Sequence, residues 1–247
     1  MNLGLRNRTA IVGGGSAGIG LGIAQTLRAE GANVVLFSNE LEELERQASE
    51  LDALAVPGDQ RVPEDLERVV GDAVAAFGGL DVLVLNGGGP DTLPATDVDY
   101  DTAKDAMDLM LQPVIHLTRL ALPYLRDSEL GRVIAVVSTS VFEPIDNLAL
   151  SNMVRPAIVG WLMTLAREVG GSGVTVNAVA PGRIATRTFA EFYETRSMDE
   201  DLREIPLGRF GDPREVGDVV CFLASARAAY VSGVVMRVDG GLTRTLT

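Results

Sequence analysis

The sequence predicts an α/β protein built on one doubly wound sheet of about seven parallel strands, with helices on both faces. Three observations predict it. Seven short runs rich in valine, leucine and isoleucine alternate with segments of helical spacing. Most of the runs lack a strict apolar/polar alternation, as expected where helices cover both faces of a parallel sheet. Between the first run and the first helix lies a glycine cluster, Gly13 to Gly20.

Taken in order, the first strand is Thr9–Val12, and the glycine cluster leads into a helix over Gly18–Glu30 that Gly31 closes. A strand at Asn33–Phe37, a helix at Leu41–Leu51, a strand at Ala53–Val56, a helix at Pro63–Phe77 and a strand at Asp81–Leu85 follow. The long helix Tyr100–Arg126 contains Pro113, which removes a helix donor and is expected to interrupt and kink it. Next come a strand at Arg132–Val137, a helix at Leu150–Glu168 and a strand at Val174–Val179. One long break, residues 186–211, mixes aromatics, arginines and acids. It is expected either as a mobile substrate-covering segment or as a surface excursion without a role. Pro213 with Glu215 opens a last helix, Pro213–Leu223, and Val234–Val238 is the seventh strand. No linker or repeat divides residues 1–247, so a single domain is expected.

Composition narrows the chemistry. With 21 basic against 34 acidic residues the net charge is −13, a surface that nucleic acid and anionic membranes repel. Cys221, His116 and Lys104 are the only residues of their types, which excludes a zinc site of several Cys or His ligands and any intrachain disulfide. No metal is expected. A Ser-His-Asp triad would have to run through His116. The uncharged stretch Thr9–Leu27 is broken by glycines and polar residues, so no membrane span is expected there. Residues 1–10 lack the pattern of a signal peptide, and one cysteine fits a reducing compartment, so a cytoplasmic location is expected.

The glycine cluster carries the strongest functional signal. Residues without side chains between a strand and a helix let backbone N–H groups and the helix N-terminus approach a pyrophosphate. Two registers fit, Gly13-Gly15-Gly18 as GxGxxG and Gly14-Gly18-Gly20 as GxxxGxG. Either one inside a strand–turn–helix unit points to a Rossmann-type dinucleotide-binding domain.

From about Leu5 to Leu242 the chain resembles the short-chain dehydrogenase/reductase family. The resemblance rests on the glycine cluster, Asp59 after the third strand, Asn86-Gly87-Gly88 after the fourth, Pro181-Gly182 with Thr186 after the sixth, and Val238-Asp239-Gly240-Gly241 near the end. It implies NAD or NADP as cofactor. It also implies that Gly14, Ser16, Gly18, Ile19 and Gly20 line the diphosphate. By the same resemblance Asp59 and Gln60 lie by the adenine, Asn86 and Gly87 under the ribose and central sheet, and Ile184 and Thr186 by the nicotinamide carboxamide, with Pro181 and Gly182 also among the cofactor-binding residues. At the end of the second strand Ser38-Asn39-Glu40 carries neither the usual acid for a free 2′-OH nor a base for a 2′-phosphate. If Glu40 points inward, it repels a phosphate. The choice between NAD and NADP stays open at this point.

The catalytic positions depart from the family. Its Asn, Ser, Tyr and Lys correspond here to Met110, Ser138, Ser151 and Arg155. A serine hydroxyl titrates far above a tyrosine and cannot serve as an acid tuned near neutrality. Arg155 can still hydrogen-bond ribose hydroxyls. Glu143, in Val141-Phe142-Glu143-Pro144, lies in the stretch that resembles the family's substrate wall and is the leading replacement acid. A solvent-facing or ion-paired carboxylate is its other reading. Asp91 and Tyr193 are weaker candidates, and His116 reads as a buried or interface histidine. Met110 suggests a more apolar pocket. The expected function is oxidoreduction of a small alcohol or carbonyl compound, its substrate contacts drawn from residues 90–93, 143–150 and the stretch Phe189–Tyr193. The alternatives are a nucleotide-binding regulatory protein without turnover, and a non-redox lyase or isomerase. Family members commonly pair the two helices that correspond here to Tyr100–Arg126 and Leu150–Glu168, so a homotetramer is expected.

Overall fold

The computed structural model describes residues 2–186 and 198–246. All seven strands are parallel in one sheet: β1 (Thr9–Gly13), β2 (Asn33–Ser38), β3 (Leu54–Pro57), β4 (Val82–Leu85), β5 (Arg132–Val136), β6 (Thr175–Pro181) and β7 (Val235–Val238), in the order β3-β2-β1-β4-β5-β6-β7. Each lies within two residues of its expected bounds at either end. β1 pairs with β2 on one side, Ile11 opposite Val35, and with β4 on the other, Ile11 opposite Leu83. The strand order therefore reverses between β1 and β4, and the crevice outside their carboxyl ends is the place where doubly wound folds bind ligands.

The helices are α1 (Gly18–Ala29), α2 (Leu41–Leu51), α3 (Pro63–Phe77), α4 (Tyr100–Asp127), α5 (Ala149–Val169), the short α6 (Asp199–Glu204) and α7 (Pro213–Ala224). Neighbouring strand residues feed opposite cores. Ile11, Val133 and Ala135 join the side chains of α3, α4 and α5, whereas Ala10, Val12 and Ile134 join those of α1 and α7. With both faces buried, polar residues do not alternate with apolar ones along most strands, which accounts for the missing alternation in the sequence.

Local signals place the helix ends. Asp99 accepts from Thr102 N at 2.9 Å and Thr102 Oγ1 accepts from Asp99 N at 3.0 Å, a reciprocal cap on α4. Asp212 and Glu215 cap α7 in the same way, with Pro213 in its first turn. Gly31, at φ +85°, follows α1 in the left-handed conformation that ends helices. The interruption expected in α4 is corrected: the helix continues through Pro113 and through Pro123. The expected break at 186–211 contains α6 and, at 205–211, chain hydrogen-bonded to Arg183, Ala185 and Gly240. Residues 187–197, with Phe189 and Tyr193, lie outside the described residues.

Candidate active site

The glycine turn forms because side chains do not fit. Gly14 and Gly18 sit at φ +58° and +54°, where L side chains are strained. A Cβ on Gly13 would lie 2.3 Å from the Asn86 carbonyl oxygen, and one on Gly20 would lie 2.1 Å from the Gly14 oxygen. Asn86, at the end of β4, donates through Nδ2 to the Gly13 carbonyl at 2.9 Å and clasps the turn across the switch point. No side chain caps α1, in contrast to α4 and α7. Its first amides, those of Gly18, Ile19 and Gly20, lack intrahelical partners and add to the positive end of the helix dipole. Such a turn has the shape and the charge that a diphosphate requires.

At the end of β2 the polar groups close on this turn. Ser16 Oγ and Ser38 Oγ lie 2.9 Å apart, Ser16 Oγ donates to Glu40 Oε2 at 3.0 Å, and Glu40 N donates to Ser38 Oγ at 3.3 Å. Glu40 and Asn39 are both exposed, but the Glu40 carboxylate is turned to Ser16 on the glycine turn. After β3, Asp59 is taken up by Arg61, whose Nη2 donates to Oδ2 at 2.8 Å and whose backbone N donates to Oδ1 at 2.9 Å. These bonds hold the Asp59 carboxyl below its ordinary range.

The Gln60 side chain turns away, to donate from Nε2 to the Leu109 carbonyl of α4 at 2.7 Å. That carbonyl would ordinarily accept from residue 113, where proline has no N–H. The Gln60 amide also fills the space over Gly87, where a Cβ would meet Oε1 at 2.2 Å. Sequence reasoning missed this link. Its signal was available, because a proline inside a helix leaves one carbonyl in search of a donor.

Beyond the switch point, Asn86-Gly87-Gly88 border a small pocket that is also lined by Met110, Pro113, Val114 and Leu117 of α4, Val136 of β5 and Ile158 of α5. Met110 makes this lining apolar. Arg155 also lines it: Nε donates to Ser151 Oγ at 2.9 Å and Nη1 to the Val136 carbonyl at 3.3 Å. Burial pushes its guanidinium down to about 10. Ser151 is 6% exposed, and its Oγ lies 3.4 Å from Ser140 Oγ. Ser138 Oγ accepts from Ser140 N at 3.2 Å, which leaves its own hydroxyl hydrogen to donate elsewhere. Ser138, Ser151 and Arg155 therefore stand together.

The β6 loop completes the rim. Gly182 N donates to the Val238 carbonyl at 3.0 Å, Ile184 bridges to Gly211, and Thr186 Cγ2 lies 3.4 Å from where a Cβ on Gly18 would be. Pro181 ends β6, so Pro181, Gly182, Ile184 and Thr186 run from the sheet to the start of α1.

Glu143 follows the short helical turn Thr139–Val141 and is half-buried. Its loop is held twice. Asn152, next to Ser151, accepts from Ile145 N at 3.1 Å and donates to Ile145 O at 2.9 Å, and Arg237 stacks 4.2 Å over the Phe142 ring. Asp91 is exposed, whereas His116 is half-buried on α4 with its Nε2 unpartnered among the described residues. Among the described residues no group of three or more His, Cys, Asp or Glu could hold a metal, and no helix is long and apolar enough to cross a membrane. Cys221 is buried with its thiol pushed up to about 12 by desolvation, so it is inert.

The sheet order, the glycine turn and the crevice it overlooks define the class of doubly wound nucleotide-binding α/β proteins. A sequence profile described as Enoyl-(Acyl carrier protein) reductase matches residues 14–243. The chain is 32% identical to "Dehydrogenase/reductase SDR family member 4" of Oryctolagus cuniculus, over 96% of this chain and 94% of that protein. It is also 32% identical to the D-beta-hydroxybutyrate dehydrogenase of Cupriavidus necator, over 96% of this chain and 98% of that one. The solved L-sorbose reductase of Gluconobacter frateurii, complexed with NADPH and L-sorbose, superposes with a TM-score of 0.94 at 29% identity over all of both chains. The chain belongs to the short-chain dehydrogenase/reductase family of NAD(P)-dependent oxidoreductases.

Proposed function

We propose that this protein transfers hydride between a nicotinamide dinucleotide and a small, fairly apolar alcohol or carbonyl compound. The observation that carries the reading is the uncapped α1 N-terminus behind a turn in which Gly13, Gly14 and Gly20 exclude side chains. In this reading Gly14, Ser16, Gly18, Ile19 and Gly20 hold the diphosphate. Ser38 and Asn39 face the adenosine ribose, Asp59 and the backbone at Gln60 face the adenine, and Asn86 and Gly87 lie under the ring system. Arg155 takes the nicotinamide ribose, and Pro181, Gly182, Ile184 and Thr186 take the carboxamide. The Glu40 carboxylate, turned to Ser16, favours NAD over NADP, because it would repel a 2′-phosphate.

When bound, the nicotinamide supplies or accepts the hydride. Ser138 donates its free hydroxyl hydrogen to the substrate oxygen, and Met110 and its neighbours exclude water below. Ser151 cannot act as the acid, so in this reading Glu143 supplies the proton; Asn152, next to Ser151, ties down its loop at Ile145. We assign the protein to the cytoplasm as a homotetramer paired through α4 and α5.

The test is a reaction of the protein with NADH and a panel of small ketones and aldehydes, followed at 340 nm. Consumption of NADH with alcohol formation is expected. Glu143→Gln is expected to lower kcat about 10²-fold or more with cofactor affinity unchanged. Unaltered turnover in that variant removes Glu143 from the mechanism. The replacement of a tunable acid by Ser151 favours one second reading, a nucleotide-binding protein without turnover. Substrate converted with no change at 340 nm would point instead to lyase or isomerase chemistry.

A further inference from the structure

Among the described residues Arg155 is a cation without a counter-ion, in a chain that has carboxylates to spare. Acidic residues number 34 against 21 basic ones, and Arg8, Arg28, Arg46, Arg183 and Arg209 all carry carboxylate partners. Arg155 does not. Its partners are a serine hydroxyl and a backbone carbonyl, and no acidic side chain among the described residues reaches it. The surrounding hydroxyls of Ser138, Ser140 and Ser151 are neutral and stay so at any working pH. A guanidinium does not give up its proton to relieve the charge. A half-buried positive charge held in one place by 2.9 Å and 3.3 Å hydrogen bonds is therefore a fixed electrostatic feature of this pocket.

Its position says what it acts on. The pocket is shared by Gly13 at the end of β1, Asn86-Gly87-Gly88 at the end of β4 and Val136 of β5. In a doubly wound sheet the dinucleotide spans the switch point. With one nucleoside over β1 to β3, the other falls over β4 and β5, where Arg155 sits. The nicotinamide ring is neutral when reduced and carries a positive charge when oxidised. Like charges in a low-dielectric pocket repel far more strongly than in water.

We infer that Arg155 makes this site select the redox state of its cofactor, holding the neutral dihydronicotinamide in preference to the cationic oxidised ring. The inference rests on the dinucleotide-binding reading above. It makes Arg155 a specificity-determining residue, distinct from any part it plays in holding the ribose, because lost ribose bonds weaken both redox states alike whereas the charge separates them. A tenfold preference added by this charge corresponds to raising the potential of the bound couple by about 30 mV.

The experiment measures Kd for NADH, NAD⁺, NADPH and NADP⁺ on the full chain by calorimetry, for the wild type, Arg155→Gln and Arg155→Lys. The wild type is expected to bind the reduced form at least tenfold tighter than the oxidised form. In Arg155→Gln that ratio narrows about tenfold even where both affinities fall, and Arg155→Lys, which keeps the charge, retains it. A ratio unchanged in Arg155→Gln overturns the inference while the dinucleotide reading stands. So does a wild type that binds the oxidised form as tightly as the reduced one, a result that needs no variant to fold. Failure of the wild type to bind any of the four overturns both.

Discussion

At the level of single residues, the site is governed by groups whose charge is fixed. Arg155 cannot shed its proton and Ser151 cannot ionise, so the two residues at the centre offer a hydrogen-bonded cation where a tunable acid is expected. Glu40 works at the other end. In the proposed reading its carboxylate, held by Ser16 at 3.0 Å, stands where a 2′-phosphate would have to enter. Two anions a few ångström apart at a protein surface repel by a few kcal/mol at most, enough for a tenfold or larger discrimination. Glu40→Gln keeps the hydrogen bond to Ser16 and removes the charge. It is expected to bring NADPH affinity about tenfold closer to that for NADH, read by fluorescence titration. An unchanged gap would relieve Glu40 of that role.

At the level of elements, α4 shows a helix repaired from outside. Pro113 deprives the Leu109 carbonyl of its donor, and Gln60, from the loop between β3 and α3, supplies one at 2.7 Å. A polar group left partly buried without a partner costs on the order of 1 kcal/mol or more. Gln60→Ala should therefore destabilise the protein by about that amount in urea unfolding. In a Pro113→Ala background the restored N–H serves the carbonyl and the same substitution should cost clearly less. Equal costs in both backgrounds would contradict the pairing, since linked partners do not add.

Strands and helices were legible in the sequence because burial on both faces and capping residues write local, periodic signals. Val82–Leu85 and Pro63–Phe77 needed nothing beyond their own residues. The glycine turn was legible too, since a strand, a run without side chains and a helix are contiguous. What stayed hidden joins distant residues: Gln60 with Leu109, Arg237 with Phe142, and Asn152 with Ile145. Spacing along the chain says nothing about which side chains meet across an interior. The direction of the Glu40 carboxylate is of the same kind, set by a contact with Ser16 rather than by its own neighbours.

At the level of the whole molecule, an acidic chain places a cation that has no carboxylate partner among the described residues at the crevice of its sheet, and assembly bears on how that crevice is framed. Tyr100, Met107 and Tyr124 of α4 and Met153 of α5 are exposed, and His116 on α4 keeps a buried Nε2 without a partner among the described residues. Such a surface on two packed helices is suited to a second copy of the chain. Sedimentation at micromolar concentration should give four times 26.2 kDa, and a monomeric mass would exclude the tetramer. The central claim is that the glycine turn and the crevice beside it hold a nicotinamide dinucleotide. It is tested most directly by titrating the protein, cleared of carried-over nucleotide, with NADH and with NADPH while following nicotinamide fluorescence. NADH should bind with a Kd on the order of micromolar and NADPH more weakly. Binding of neither would contradict the claim and reduce the glycine turn to architecture.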